Sequence, residues 1–190
     1  QFALDCELPT TTPAIFSVDS SVTGGPAAVV GAEETVTITS LGNAVEVANP
    51  EYDGTTATSK TIFRDYGFGV DVGTVTLGGV DINSIASGAV TAWSEDTITF
   101  TVPVTATTGQ LEVVNATGQK APNGVTLNII GVGEIVAIVT PSNNLTDTPI
   151  QDAIDAASAG DLILLSPGAY HELVIMHKPV RLQGFGAAAC

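Results

Sequence analysis

The chain has 190 residues and a formal net charge of −15, with five Lys and Arg against twenty Asp and Glu. That length allows one or two domains with buried cores. Five scattered cations make no basic patch, which argues against nucleic-acid binding, and the acidity argues against charge-driven adhesion to anionic membranes. No apolar run is long enough for a transmembrane helix, so membrane insertion is not expected. Only 13% of residues are charged, and the abundance of Gly, Thr, Val and Ala predicts β-structure with many turns.

Residues 1–12 (QFALDCELPTTT) read as a linker or the tail of a preceding module, because Pro9, Pro13 and three threonines oppose regular structure. PAIFSV is a short strand with Ile15 inward and Phe16 and Val18 as further candidates. ETVTITS alternates cleanly, with Val36 and Ile38 on one face and Thr35, Thr37 and Thr39 on the other. Residues 41–62 are the least regular stretch. Asn49-Pro50 and Asp53-Gly54 are turn signals, and a small strand fits residues 44–48. The stretch reads as an insertion between two strands and as a first place to look for a contact surface. Further on, ITFTVP and LEVVN alternate about ten residues apart, with Ile98, Phe100 and Val102 on one side and glycines between. Short strands at that spacing predict a sandwich. Trp93 is expected to cover the core edge with its indole N–H bonded.

Residues 13–130 resemble the IPT/TIG family of immunoglobulin-like β-sandwiches. The resemblance rests on the opening P-x-I-x-x-V from Pro13, on G-F-G at Gly67, Phe68 and Gly69, on VTLGG from Val75, on W-S-x-D-T-I from Trp93, on Val102-Pro103, and on TGQLEVVNATG with the closing NGVTL. The sequence departs from the family at 41–62, which separates ETVTITS from G-F-G by more residues than usual.

A short junction, residues 131–134, leads to the apolar run IVAIV, read as a strand. A helix is then predicted. Thr148 fits its N-cap, Pro149 its first position, and Thr148 with Gln151 makes a T-x-x-Q capping box. Ile150, Ala153, Ile154 and Ala157 form one apolar stripe, and Gly160 fits the stop. Residues 161–166 fit a buried strand, Pro167-Gly168 a turn, and the pairs Leu173/Ile175 and Val180/Leu182 alternate as strands do. The string IQDAIDAASAGDLILLSPGAYHE with KPVRLQGFG is similar to the N-terminal cap and first coil of pectin-lyase-like proteins. That resemblance implies the start of a right-handed parallel β-helix under one capping α-helix. The implied fold class is mainly β, with the sandwich at 13–130 and the cap with its first coil at 131–190. Gln1 in place of Met, and the abrupt 187–190 after a rung, lead us to expect a piece of a longer, processed chain.

Chemical candidates are few. Cys6 and Cys190 can pair in an oxidising compartment, or Cys190 can pair with other chain. Asn115 and Asn144 open N-x-T triplets that suit N-glycosylation. His171 and His177 lack a third metal ligand. Asp71, Asp81 and the Glu51/Asp53 loop are the oxygen-rich candidates for calcium; no other cofactor is implied. Carboxylates such as Glu33, Glu34, Glu95 and Asp96 show no spacing that selects a catalytic pair. No nucleophile elbow, zincin motif or P-loop occurs.

These readings predict a non-catalytic, extracellular or cell-surface pair of modules, a spacer or binding face joined to a solenoid cap. The expected partners are further β-helix coils in the same or another chain, and carbohydrate or cell-surface proteins. Two alternatives stand beside it: the N-terminal part of a polysaccharide-acting β-helix enzyme with its site on other coils, and a subunit of an assembly completed by another chain.

Overall fold

The structure is a computed structural model that describes residues 11–29, 33–131 and 136–186. The chain is mainly β, with two helices among the described residues. Its first part is two sheets packed face to face, as in a β-sandwich. One sheet runs β1 (Ile15–Ser20), β3 (Thr35–Ser40), β9 (Thr97–Thr101), β8 (Val90–Trp93), all antiparallel. The other runs β2 (Ala27–Val29), β11 (Val125–Ile130), β10 (Gly109–Val114), β6 (Thr74–Leu77), β7 (Val80–Asp81), antiparallel except for the parallel β2–β11 pair.

Alternation decides what lies between the sheets. Val36, Ile38, Ile98 and Phe100 from one sheet meet Val75, Leu77, Leu111, Val113, Val125 and Leu127 from the other in one buried cluster. The intervening threonines point away, as period-two strands require. In β1 a bulge between Ile15 and Ser17 breaks that period. It leaves Ile15 and Val18, three positions apart, both in the core, and turns Phe16 out to a second cluster. Trp93 caps the core edge: its Nε1 donates to the Gly69 carbonyl at 3.0 Å, and its ring meets Phe68 edge-on at 6.4 Å. A buried carboxylate, Glu34, accepts from the Ser20 hydroxyl and from the Val29 amide, so it ties β1 and β2 to the start of β3.

Two elements differ from expectation. The insertion holds the small strand expected at 44–48 as β4 (Val45–Ala48), but a second strand, β5 (Thr61–Arg64), pairs with it in an antiparallel hairpin that joins neither sheet. A one-turn helix, α1 (Ile82–Ile85), follows β7, and Asp81 caps it by accepting from the Asn83 amide at 2.9 Å.

The last part is a three-stranded parallel sheet, β12 (Val136–Val139), β13 (Leu162–Leu165), β14 (Arg181–Gly184), with α2 (Pro149–Ala156) between the first two strands. Where the first coil of a β-helix is expected, the described residues form this open three-stranded parallel sheet, and no solenoid is formed among them. Parallel sheets need cover on both faces, and the continuous apolar run LILL of β13 presents apolar side chains to both. Ile163 packs with Val139, Ile150 and Ile154 under α2. Leu162 and Leu164, on the opposite face, pack with Ala27 and Phe185 against the sandwich, where Phe16 joins them.

The joint between the two parts is tight. The Val18 amide donates to the Phe185 carbonyl at 3.1 Å. A Cβ on Gly25 would stand 2.8 Å from the Phe185 ring and 2.9 Å from Leu164, so no larger residue fits there without displacement. Asn128, buried among apolar residues, donates to the Pro26 carbonyl and to Gln183 Oε1.

Candidate functional site

The most elaborated polar arrangement surrounds α2. Thr148 and Pro149 occupy the predicted N-cap and first positions, and Ile150 and Ile154 are buried, with Ala153 and Ala157 packed against the same cluster. The capping box does not form. Thr148 makes no side-chain cap bond; its hydroxyl donates to Asp152 Oδ1 at 3.2 Å. Glu172 takes the place of that cap. Its two carboxylate oxygens accept from the amides of Ile150 (2.9 Å) and Gln151 (3.0 Å), which puts a negative charge on the positive helix end. A bidentate carboxylate reaches two orphan amides, whereas a threonine hydroxyl reaches one.

The other end is closed in the same way. Lys178 Nζ donates to the carbonyls of Asp155 (2.6 Å) and Ala157 (3.1 Å). Midway, Gln151 Oε1 accepts from the Ile175 amide at 2.8 Å. The Tyr170 hydroxyl lies 2.8 Å from the Val139 carbonyl and 2.9 Å from that of Ser166, and shares its one proton between them. Residues 170–178 therefore form a strap along α2, not the strand expected at Leu173 and Ile175. Their backbone and polar groups serve the helix, Tyr170 and Val174 pack against the cluster under α2, and the other apolar side chains turn outward. Leu173 is 86% exposed and Ile175 61%, and Met176 and Leu182 are exposed beside them. The helix stops at Ala157, which is extended, before Gly160, whose left-handed backbone directs its amide to the Pro179 carbonyl.

The next strand, β14, ends the sheet. It pairs with β13 in register, Leu162 with Arg181 and Ile163 with Leu182, a step of 19 residues. Its other edge pairs with no strand among the described residues. An unpaired strand edge beside exposed aliphatic side chains is the kind of surface on which another strand can pair.

The remaining candidates do not converge. Asp81 serves α1, and Asp53 serves its own loop, where Oδ1 accepts from the amides of Thr55, Thr56 and Ala57 at 2.8 to 2.9 Å. Among the described residues no three of His, Cys, Asp and Glu come together, so Asp71, Asp81, Glu51 and Asp53 form no shared calcium cage. His177 lies 3.7 Å from Asp155 on the exposed side of the strap, and His171 is exposed. Asn115 sits in a half-buried turn, where its amide oxygen accepts from Thr117 and Gln119. Asn144 lies in an exposed turn, where its amide oxygen accepts from Thr146. Cys6 and Cys190 lie outside the described residues. One groove of 360 Å3, lined by Glu33, residues 85–89 and residues 101–105, holds a single carboxylate. Acid–base chemistry requires a second convergent group, which that groove does not supply. No described helix is long and apolar enough to cross a membrane.

The Asp53 loop makes a checkable prediction. The Thr55 amide, then those of Ala57 and Thr56, hold the Asp53 carboxyl below its ordinary 3.8. A carboxyl lowered in the folded state keeps these bonds above its ordinary value and loses them only as the pH falls through the lowered one. The amide proton shifts of Thr55, Thr56 and Ala57 should therefore titrate together with a midpoint below 3.8, and Asp53→Asn should abolish the titration. A midpoint at or above that value would contradict the assignment.

No protein-family model matches the chain, and no curated protein matches it. Among solved structures the chain is similar to a gamma-CGTase from alkalophilic Bacillus clarkii, at 23% identity and a TM-score of 0.40. The likeness covers 70% of this chain and 14% of that one, so the chain spans a small part of that protein's length. At that level the likeness carries no argument about function.

Proposed function

We propose that the chain is a non-catalytic structural and binding pair: an immunoglobulin-like sandwich of the IPT/TIG kind, fixed to the capped first turn of a right-handed parallel β-helix. The reading places it in a larger extracellular or cell-surface protein, where the sandwich is a support and β14 carries the next coil. The observation that carries it is the in-register parallel step from β13 to β14, with α2 packed over one face of the sheet and the outer edge of β14 unpaired among the described residues beside exposed Leu173, Ile175 and Leu182.

Two features support the reading. The strand orders β1-β3-β9-β8 and β2-β11-β10-β6-β7 follow the immunoglobulin arrangement, in which the chain's first strand divides between both sheets. Parallel crossovers are right-handed in nearly all proteins, which gives the coil its hand.

Hydrogen exchange at high dilution tests this reading. The amides of β13 should be protected throughout, whereas alternate amides of β14, those directed away from β13, should exchange as fast as loop amides. Uniform protection along β14 would show that its outer edge is already paired and would remove the reading.

A further inference from the structure

The outer edge of β14 does not face open solvent alone. A groove of 460 Å3 runs beside it, walled on one side by Leu182, Gln183, Gly184 and Gly186 and on the other by Gly124, Val125 and Thr126 of the sandwich. We propose that this groove is a strand-docking site, in which a neutral extended peptide segment pairs in parallel with β14 while it rests against the start of β11. This rests on the solenoid reading above and adds that the sandwich forms part of the seat for the next strand.

Continuity of the sheet defines the occupant. Because β13 and β14 are paired residue for residue, a further strand continues the same parallel interface. Leu162 and Leu164 face the sandwich, so their partners Arg181 and Gln183 share that face, and a residue stacked on Gln183 enters the groove. The wall there is already set: Gln183 Nε2 donates to the Thr126 carbonyl, and its Oε1 accepts from Asn128 Nδ2 at 2.8 Å. An amide, hydroxyl or small side chain fits beside it. On the opposite face Leu182 stacks on Ile163 and calls for an aliphatic residue next.

The lining favours backbone over charge. Of its seven residues none is ionisable, and three are glycines, which let another main chain approach closely. In a chain of net charge −15, an uncharged groove beside a free strand edge selects a neutral strand by main-chain pairing, with alternate side chains supplying specificity.

The test uses the full chain and a blocked synthetic peptide that copies its own rung, residues 179–185, with glutamine in place of Arg181 (PVQLQGF), so that the peptide is neutral. In an NMR titration up to about 1 mM peptide, the weak end of specific binding, the amides of Leu182, Gln183 and Gly184 and those of Val125 and Thr126 should shift together. Thr126→Arg, a change at an exposed side chain that fills the groove, should weaken binding roughly tenfold or more without altering the spectrum elsewhere. Shifts confined to β14 and indifferent to Thr126→Arg would overturn the groove while leaving the open-edge reading in place. No shift at either wall would overturn both.

Discussion

Replacing Glu172 with alanine is expected to lower the unfolding free energy by about 2 kcal/mol, the scale of a lost helix cap and of charge-assisted bonds to backbone amides. The carboxylate closes two amides at the start of α2, 2.9 and 3.0 Å away, from 21 to 22 positions downstream. Its removal leaves Ile150 and Gln151 with unpaired donors at a partly buried helix end. The same change frees the strap from the helix it crosses. Thr148→Ala, although it alters the N-cap residue itself, should cost less than about 0.5 kcal/mol, because that side chain makes no cap bond. Equilibrium denaturation of both variants, with amide exchange read at Ile150 and Gln151, separates the two. Equal losses, or a larger loss for Thr148→Ala, would return the cap to the threonine.

Phe185→Ala should have a still larger effect, roughly 3–5 kcal/mol, as expected for an aromatic ring removed from a packed core. The ring is buried with Ala27, Leu162 and Leu164, where the parallel sheet meets β1 and β2. Gly25 lies flat against it, and the Phe185 carbonyl holds the Val18 amide. Burial of this kind couples the two parts, so the chain should unfold in one transition by near-ultraviolet and far-ultraviolet signals alike. Phe185→Ala should separate that transition into two, with the sandwich the more stable half. Two transitions in the unchanged chain would mean that the joint is an incidental contact between independent modules.

What could be read from residues alone follows local periodicity. Val36 with Ile38, and Ile98 with Phe100 and Val102, announce their inward face by alternation, and the structure buries all five. The stripe of Ile150 and Ile154 announces the buried face of α2 by the helical period. Trp93 finds its partner at the edge of the core, as a large side chain with one donor must.

Non-local features were illegible for a physical reason. The T-x-x-Q box satisfies every local rule for a cap, yet a carboxylate delivered by the strap competes with it and bonds two amides. No local rule anticipates that, although the PG-x-Y-x-E spacing of residues 167–172 marks the residues concerned. Leu173 and Ile175 alternate as a strand would, but the segment's hydrogen bonds go to α2, so the periodicity has no ladder to serve. Phe16 leaves the sandwich core because a bulge in β1 changes its side, and its partner Phe185 is distant in sequence. Within 41–62 the small strand at 44–48 is legible, but its partner at 61–64 follows a run of turn residues and becomes a strand only by main-chain pairing from Val45 to Arg64.

Whether the strap and β14 present an unfinished surface is tested most directly by light scattering over a micromolar to near-millimolar concentration series. The chain should grow reversibly above its monomer mass of 19.2 kDa as concentration rises. The triple variant Leu173→Ser, Ile175→Thr, Leu182→Thr should stay monomeric with an unchanged circular dichroism spectrum, since all three side chains are exposed. A monomer at every concentration in both proteins would contradict the claim that another strand belongs there.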